Sequence, residues 1–135
     1  MPSSDLANLE FSAPEMRALA DQTIDRVIDV FPPHQQNQVR LMFANSMQGI
    51  IAQQLLPVPG GRGRVAATEI LVATPAVRQI LRQAKTEQLT TIMQTAQDTG
   101  MMTMDKCLKQ LYQRGLISFD DAIAKSRYPE HFEHI

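Results

Sequence analysis

Apolar residues recur every three or four positions along most of this chain, which is the spacing of one face of an α-helix. The first stretch follows Ser12 and Pro14, a combination typical of helix starts, and predicts a helix over 14–30 that Pro32 and Pro33 end. The second stretch predicts a helix from Pro33 to about residue 53, with these apolar positions: Val39, Met42, Phe43, Met47, Ile50 and Ile51. The residues before Ser12 carry no such pattern, and we interpret them as a loose arm.

The helical pattern stops in the middle of the chain. Two short apolar runs, 55–58 and 65–73, flank the glycine-rich segment 59–63. Glycine supplies the backbone freedom of a turn, so this arrangement predicts an antiparallel β-hairpin. It is the only β structure that the sequence predicts.

Four further residues are of types favoured at the start of a helix, and each precedes a new run of apolar residues at helical spacing: Thr74, Thr86, Thr103 and Ser118. The helices predicted after them cover 76–85, 86–99, 104–114 and 119–125. Gly100 and Gly115 are the expected stops of the middle two. The segment 127–135 is polar and is expected to fray.

Composition narrows the class of protein. The 135 residues are 44% hydrophobic and 20% charged with a net charge of −1, which predicts one globular domain without excess charge for nucleic acid or anionic lipid. Cys107 is the only cysteine, so an internal disulfide is excluded, and a cytoplasmic protein is the simplest interpretation. No run is apolar enough for a membrane span, and residues 1–9 do not resemble a signal peptide.

Few residues have the types and spacing that catalysis needs. The glycine-rich turn lacks the lysine and hydroxyl of a phosphate-binding loop, so a solvated turn is favoured over a nucleotide or partner contact at Arg62 or Arg64. His131 and His134 have no third ligand at a suitable spacing, and we predict no metal site. Cys107 lies on an apolar helix face and is interpreted as a core residue. No nucleophile, base and orienting group can be combined into an enzyme site.

Arg78 and Arg82 are four residues apart and therefore share one face of their predicted helix. The neighbouring Val77, Ile80 and Leu81 would hold that helix on the core. Two interpretations stay open: a solvated basic face, or an interaction surface that presents two fixed cations.

Six runs of residues carry a resemblance that spacing alone does not supply. In chain order they are TIDRVIDVFP (23–32), QGIIAQQLLP (48–57), GRVAATEIL (63–71), TPAVRQILRQ (74–83), GMMTMD (100–105) and GLIS (115–118). Together they resemble the carboxy-terminal third of PilT-type retraction ATPases, the hexameric motors of type IV pili. The fourth run is similar to the signature helix of that family, usually written AIRNLIRE, and departs from it at Gln83, where the family has glutamate. The resemblance covers 20–132, so that 1–19 is an unmatched arm and 133–135 a tail.

The resemblance implies a fold, a role and a set of residues. The fold is mainly α with one small antiparallel β-hairpin, equivalent to the carboxy-terminal part of a RecA-like P-loop ATPase domain. The role is pilus retraction and twitching motility, with ATP and Mg as cofactors of the parent family. Retraction is assigned to the signature helix, here Ala76, Val77, Arg78, Gln79, Ile80, Leu81, Arg82 and Gln83. The edge of the nucleotide pocket is assigned to Leu56, Pro57 and Arg64.

The phosphate-binding loop, the acidic boxes and the histidine box of the family have no counterpart in this sequence, and Met16 falls near the position of that histidine. The chain alone is therefore expected to use no cofactor and not to hydrolyse ATP. Expected partners are homo-oligomeric or full-length motor subunits and pilus base components, with no nucleic acid and at most a peripheral inner-membrane contact. The alternative is a stand-alone interaction module that docks on a motor or the pilus base and modulates it. A strand edge left open by the missing part of the sheet would favour self-association.

Overall fold

Six α-helices and one two-stranded hairpin make up the described residues, 20–96 and 99–132, of this computed structural model. The elements are α1 (Ala20–Asp29), α2 (Pro33–Ser46), β1 (Gly49–Pro57), β2 (Arg64–Val72), α3 (Pro75–Arg82), α4 (Leu89–Thr95), α5 (Met104–Gln113) and α6 (Phe119–Lys125). Short 3-10 turns, Thr86–Gln88 and Pro129–Phe132, precede α4 and follow α6. The predicted fold class is confirmed. None of the described helices has both the length and the apolar character needed to cross a membrane.

β1 and β2 pair antiparallel over nine positions, so that the first residue of each strand lies opposite the last residue of the other. Three glycines in the loop between the strands have positive φ angles, a conformation that side chains disfavour: Gly60, Gly61 and Gly63. The second edge of β2 bonds to a neighbouring segment, since Ile70 exchanges N–H···O bonds of 2.8 and 3.0 Å with Met102. Among the described residues, no strand pairs with the second edge of β1.

The second helix is shorter and the first strand longer than the sequence predicts. α2 ends at Ser46 and β1 begins at Gly49, so the prediction of helix to residue 53 is wrong. Ile50 and Ile51 continue the helical spacing, but they are β-branched and lie opposite apolar residues of β2. Pairing with β2 therefore outweighs the local helical pattern.

The buried apolar side chains form two clusters, and β2 contributes to both. The first cluster joins α1, α2, α3 and α4, and its members include Ile24, Ile28, Phe43, Leu71, Val77, Leu81, Leu89 and Met93. The second packs α5 and α6 against the hairpin and comprises Leu56, Ala67, Met104, Leu108, Leu111, Ile117, Ala122 and Phe132. Because Ala67 and Leu71 lie on the same strand, β2 is the wall that the two clusters share.

Three of the predicted helix starts are confirmed by their cap hydrogen bonds. The hydroxyls of Thr74, Thr103 and Ser118 accept the backbone N–H three residues later, at 3.3, 3.2 and 3.1 Å. Thr86 is different, because its hydroxyl donates to the carboxylate of Asp25 at 3.1 Å and a 3-10 turn separates it from α4. That cap prediction is therefore wrong.

The predicted ends of the chain's last elements need correction. α4 ends at Thr95 and not at Thr99. The expectation of a frayed tail is wrong for 127–132, since Arg127 forms an ion pair with Asp21 and Phe132 is 2% exposed. The predicted start of the first helix, 14–19, lies outside the described residues.

Candidate functional site

Helix α3, which contains the residues that the sequence predicts to be functional, packs against the first cluster. Thr74 caps it and Pro75 occupies its first turn, where no N–H is needed. Its apolar side is fully buried, with exposed fractions of 0% for Val77, 7% for Ile80 and 0% for Leu81. The predicted helix and its inward face are confirmed, although α3 ends at Arg82 before the predicted residue 85.

The two arginines of α3 both reach the last turn of α2. Arg78 donates from Nη1 to the backbone oxygen of Ala44 at 2.7 Å, and Arg82 donates from Nη2 to Oδ1 of Asn45 at 2.8 Å. The last carbonyls of a helix have no partner within the helix and carry partial negative charge, so a guanidinium is well suited to this position. We call this set of four residues the arginine clamp.

The arginine clamp lies where three elements meet. Only Met47 and Gln48 separate α2 from β1, and the N–H of Met47 closes α2 by donating to Phe43 O at 2.9 Å. Ala73, between β2 and α3, donates its N–H to Gln48 O at 3.1 Å. The end of α2, the base of the hairpin and the start of α3 are thus joined by hydrogen bonds within a few residues.

The remaining residues of the run 76–83 face outward. Ala76, Gln79 and Gln83 are exposed, and Oε1 of Gln79 accepts a 3.5 Å hydrogen bond from Arg82. Gln83 terminates α3, and its N–H donates to Gln79 O at 3.1 Å. Outward positions such as these are available to a partner, whereas the apolar positions are not.

The three residues that the resemblance places at the nucleotide edge do not share one environment. Leu56 is 1% exposed and belongs to the second cluster. Pro57 and Arg64 are exposed and lie opposite each other where the hairpin meets its glycine loop. Their role at a nucleotide pocket stays a prediction.

A second polar site, which the sequence pattern does not indicate, is built around the buried Glu69 of β2. Glu69 is 3% exposed, and its Oε2 accepts the N–H of Ala20 at 3.0 Å. The backbone N–H of Met104 also acts on this carboxylate and favours its charged form. Ala20 is the first described residue of α1 and Met104 is the first residue of α5, so this carboxylate lies between the two helices. Desolvation by burial raises the pKa of Glu69 above its ordinary value, against the effect of those hydrogen bonds.

Arg127 completes this second site from the far end of the chain. Its Nη2 lies 2.8 Å from Oδ2 of Asp21, and the two side chains are only 26% and 10% exposed. The carboxylate of Asp105 accepts the backbone N–H groups of Arg127 and Tyr128 at 2.6 and 2.9 Å. We call Asp21, Glu69, Asp105 and Arg127 the carboxylate network. No sequence signal could find it, because its members are between 22 and 106 positions apart in the chain.

A small cavity lies beside the carboxylate network. Glu69, Thr90, Asp105 and Arg127 contribute to its lining, and its volume is about 20 Å³. That is room for about one water molecule. The cavity is therefore too small to hold a nucleotide.

The other candidate residues are one cysteine and two histidines. Within 20–96 and 99–132, no three histidine, cysteine or acidic side chains are grouped as metal ligands. The Sγ of Cys107 is partly buried and accepts the N–H of Thr68 at 3.4 Å, which is a structural role. The side chains of His131 and His134 lie outside the part of the chain that the structure describes.

Comparison with curated proteins identifies relatives that match most of the chain. It is 47% identical over 113 residues to the type IV pilus retraction ATPase PilT of Pseudomonas aeruginosa, a match that covers 84% of this chain and 33% of the relative. It is 42% identical over 111 residues to a twitching motility protein of Neisseria gonorrhoeae, covering 82% of this chain and 30% of the relative. The chain thus spans about a third of the length of these relatives. No protein-family model matches it.

A solved structure agrees with this result. The pilus retraction motor PilT with bound ADP superposes with a TM-score of 0.73 at 41% identity, covering 86% of this chain and 32% of that one. The resemblance that the six sequence runs predict is confirmed, and the fold corresponds to part of a RecA-like ATPase.

Proposed function

We propose that this chain, as a homologue of part of the PilT-type retraction motors, is the carboxy-terminal region of such a motor and serves pilus retraction and twitching motility. In this proposal α3 acts mechanically, and no residue of the chain acts in catalysis. The observation that carries the proposal is the arginine clamp, in which Arg78 and Arg82 fasten α3 to the end of α2.

The packing around the arginine clamp suits the transmission of force. Val77 and Leu81 are fully buried, and close-packed interiors have low compressibility, so a displacement of α3 cannot be absorbed by loose side chains. The hydrogen bonds of Arg78 and Arg82 pass that displacement to α2, and the short link through Gln48 passes it to β1. We infer that α3, α2 and the hairpin move as one body when a motor subunit changes conformation.

Nucleotide chemistry belongs, in this proposal, to the parent motor. The PilT structure holds ADP, whereas this chain has no phosphate-binding loop in its sequence. We expect the purified chain to release no phosphate from ATP above the buffer rate. Leu56, Pro57 and Arg64 would contribute to a nucleotide edge only when the rest of a motor is present.

A chimera tests the mechanical role in a complete motor. The matched 113 residues of the Pseudomonas aeruginosa PilT are replaced by the matching residues of this chain, and the chimera is expressed in cells that lack PilT. We expect it to restore twitching. Arg78→Ala in the chimera should abolish twitching while ATP hydrolysis stays within about twofold, because the variant removes coupling and not chemistry.

Two matched variants sharpen this test. Arg78→Lys keeps the charge but loses the planar fork of donors, so we expect partial recovery of twitching. Arg62→Ala removes an exposed arginine of the glycine loop and should leave twitching unchanged. Normal twitching by the Arg78→Ala chimera would contradict the proposed role of α3.

The alternative, a stand-alone module that docks on a motor or the pilus base, is favoured by the unpaired edge of β1 among the described residues. Immunoblotting of source-cell lysate with an antibody against 76–83 separates the two. A band well above 15.1 kDa would support a motor region, whereas a band near 15.1 kDa would support the module.

A further inference from the structure

The small cavity beside the carboxylate network is bounded by several separate parts of the fold. β2 contributes Glu69 to its lining, α4 contributes Thr90, and the segment after α6 contributes Arg127. The remaining polar lining includes Thr103, the cap of α5, and Asp105 in the first turn of that helix. A molecule in this cavity therefore contacts β2, α4, α5 and the segment after α6 at once.

The lining places hydrogen-bond donors beside acceptors. The carboxylates of Glu69 and Asp105 accept, the guanidinium of Arg127 donates, and the hydroxyl of Thr90 can do both. The two carboxylates disfavour an anion, and the guanidinium disfavours a cation. A volume of about 20 Å³ admits about one water molecule. The ligand that fits is therefore small, neutral, and both a donor and an acceptor of hydrogen bonds.

Thr90 is the lining residue that most needs a ligand. It is 9% exposed, and within 20–96 and 99–132 its hydroxyl has no hydrogen-bond partner. Other threonine hydroxyls nearby are satisfied, since that of Thr95 donates to Thr91 O at 3.2 Å and that of Thr103 accepts the N–H of Lys106 at 3.2 Å. Buried polar groups nearly always have a partner, which is either protein or ordered water. The partner of this hydroxyl therefore belongs in the cavity.

We propose that the cavity is a binding site for one internal water molecule. The water donates a hydrogen bond to the carboxylate of Glu69 and accepts one from the hydroxyl of Thr90. Glu69 already accepts the N–H of Ala20 at 3.0 Å, but a carboxylate has about four acceptor positions. The water thereby joins α4, a helix of the first cluster, to the carboxylate network. Since α3 does not contribute to the cavity lining, this site is independent of the role proposed for the arginine clamp.

A crystal structure of the unmodified chain, from crystals grown in rubidium chloride, tests the occupant directly. We expect one electron-density peak within about 3.2 Å of both a Glu69 carboxylate oxygen and Thr90 Oγ1, without anomalous scattering from rubidium. An empty cavity, or a peak that contacts neither group, would overturn the proposal. A rubidium signal would also overturn it, because it would identify a cation site.

The relaxation dispersion of water ¹⁷O counts long-lived water molecules in solution, and exchanging hydroxyl protons do not affect it. Thr90→Ile removes the hydroxyl and adds a methyl group to the cavity, so we expect the dispersion amplitude to fall by the equivalent of one water. Thr91→Ile, at the exposed next position of α4, is the control and should keep the full amplitude. Equal amplitudes for both variants would contradict a water at this site. The crystallographic test needs no variant, so the proposal stays falsifiable if Thr90→Ile does not fold.

The sign of a stability change gives an independent readout. Thr90→Val keeps the shape of the side chain but leaves the bound water one hydrogen bond short, so we expect the equilibrium constant for unfolding to rise roughly three- to tenfold. If no water were bound, the same substitution would remove an unpaired buried hydroxyl, and that constant would stay the same or fall. Thr91→Val corrects for the difference in helix propensity within α4. An unfolding constant for Thr90→Val no higher than that of Thr91→Val would overturn the proposal.

Discussion

The arginine clamp joins α3 to the end of α2, and the carboxylate network joins α1 to β2, but the two sites differ in burial. In the arginine clamp, Arg82 is exposed and Arg78 is half-buried over the end of α2. In the carboxylate network, Glu69 is 3% exposed and Asp21 is 8% exposed. Charged hydrogen bonds contribute little to stability when water competes for them, and breaking one partner is costly when it does not. Removing one partner should therefore destabilise the fold more in the carboxylate network than in the arginine clamp, whose exposed groups remain available to a partner.

The largest expected effect comes from the apolar support beneath the two sites. Leu81→Ala below the arginine clamp and Leu108→Ala near the carboxylate network should each lower the free energy of unfolding by about 2–5 kcal/mol, because both side chains are fully buried. Since β2 belongs to both clusters, we expect one cooperative transition in urea for each variant. Two separate unfolding transitions would contradict the inference that the two clusters share β2.

The next effect concerns the ion pair that spans the chain. Arg127→Met should lower the free energy of unfolding by about 1–3 kcal/mol, because Asp21 would keep its burial and lose its cation. Urea denaturation at neutral pH measures this loss. Arg114→Met, which removes an exposed arginine at the end of α5, is the matched control and should change stability little. Equal effects of the two variants would refute the structural role of Arg127.

The pH dependence of stability should distinguish the buried carboxylate. Burial raises the pKa of Glu69 in the folded state, so between its unfolded pKa of about 4.3 and the raised value the folded protein binds more protons than the unfolded one. Stability contributed by this group therefore falls as the pH rises through that interval. Glu69→Gln should flatten the slope measured by urea denaturation. The exposed Glu87→Gln should leave the slope as it is.

The smallest expected effect is at the arginine clamp itself. Arg78→Ala should lower the free energy of unfolding by about 0.5–1.5 kcal/mol through the lost bond to Ala44. Arg82→Ala should change it less, because its bond to Asn45 is exposed to solvent. Thermal unfolding of these two variants and of Arg127→Met under the same conditions compares their losses of stability directly. A loss at Arg78 larger than that at Arg127 would reverse the contrast between the two sites.

The sequence is informative where the interaction is short-range. Thr74, Thr103 and Ser118 were recognisable as helix caps because each hydroxyl bonds to an N–H three residues away. The inward face of α3 was predictable for the same reason, since helical spacing places its apolar residues on one side. The arginine pair of α3 was visible, but the end of α2 that it contacts was not.

Sequence alone thus determined three of the helix starts, the glycine loop of the hairpin, the face of α3 and the resemblance to PilT-type motors. Tertiary structure decided where α2 stops, because Ile50 and Ile51 fit a helix locally and become strand through their pairing with β2. It also decided that Arg127 is fixed and not frayed, because its partner Asp21 is 106 positions away. The physical reason is that caps and turns are satisfied within a few residues, whereas strand pairing and buried charges need partners that only folding brings together.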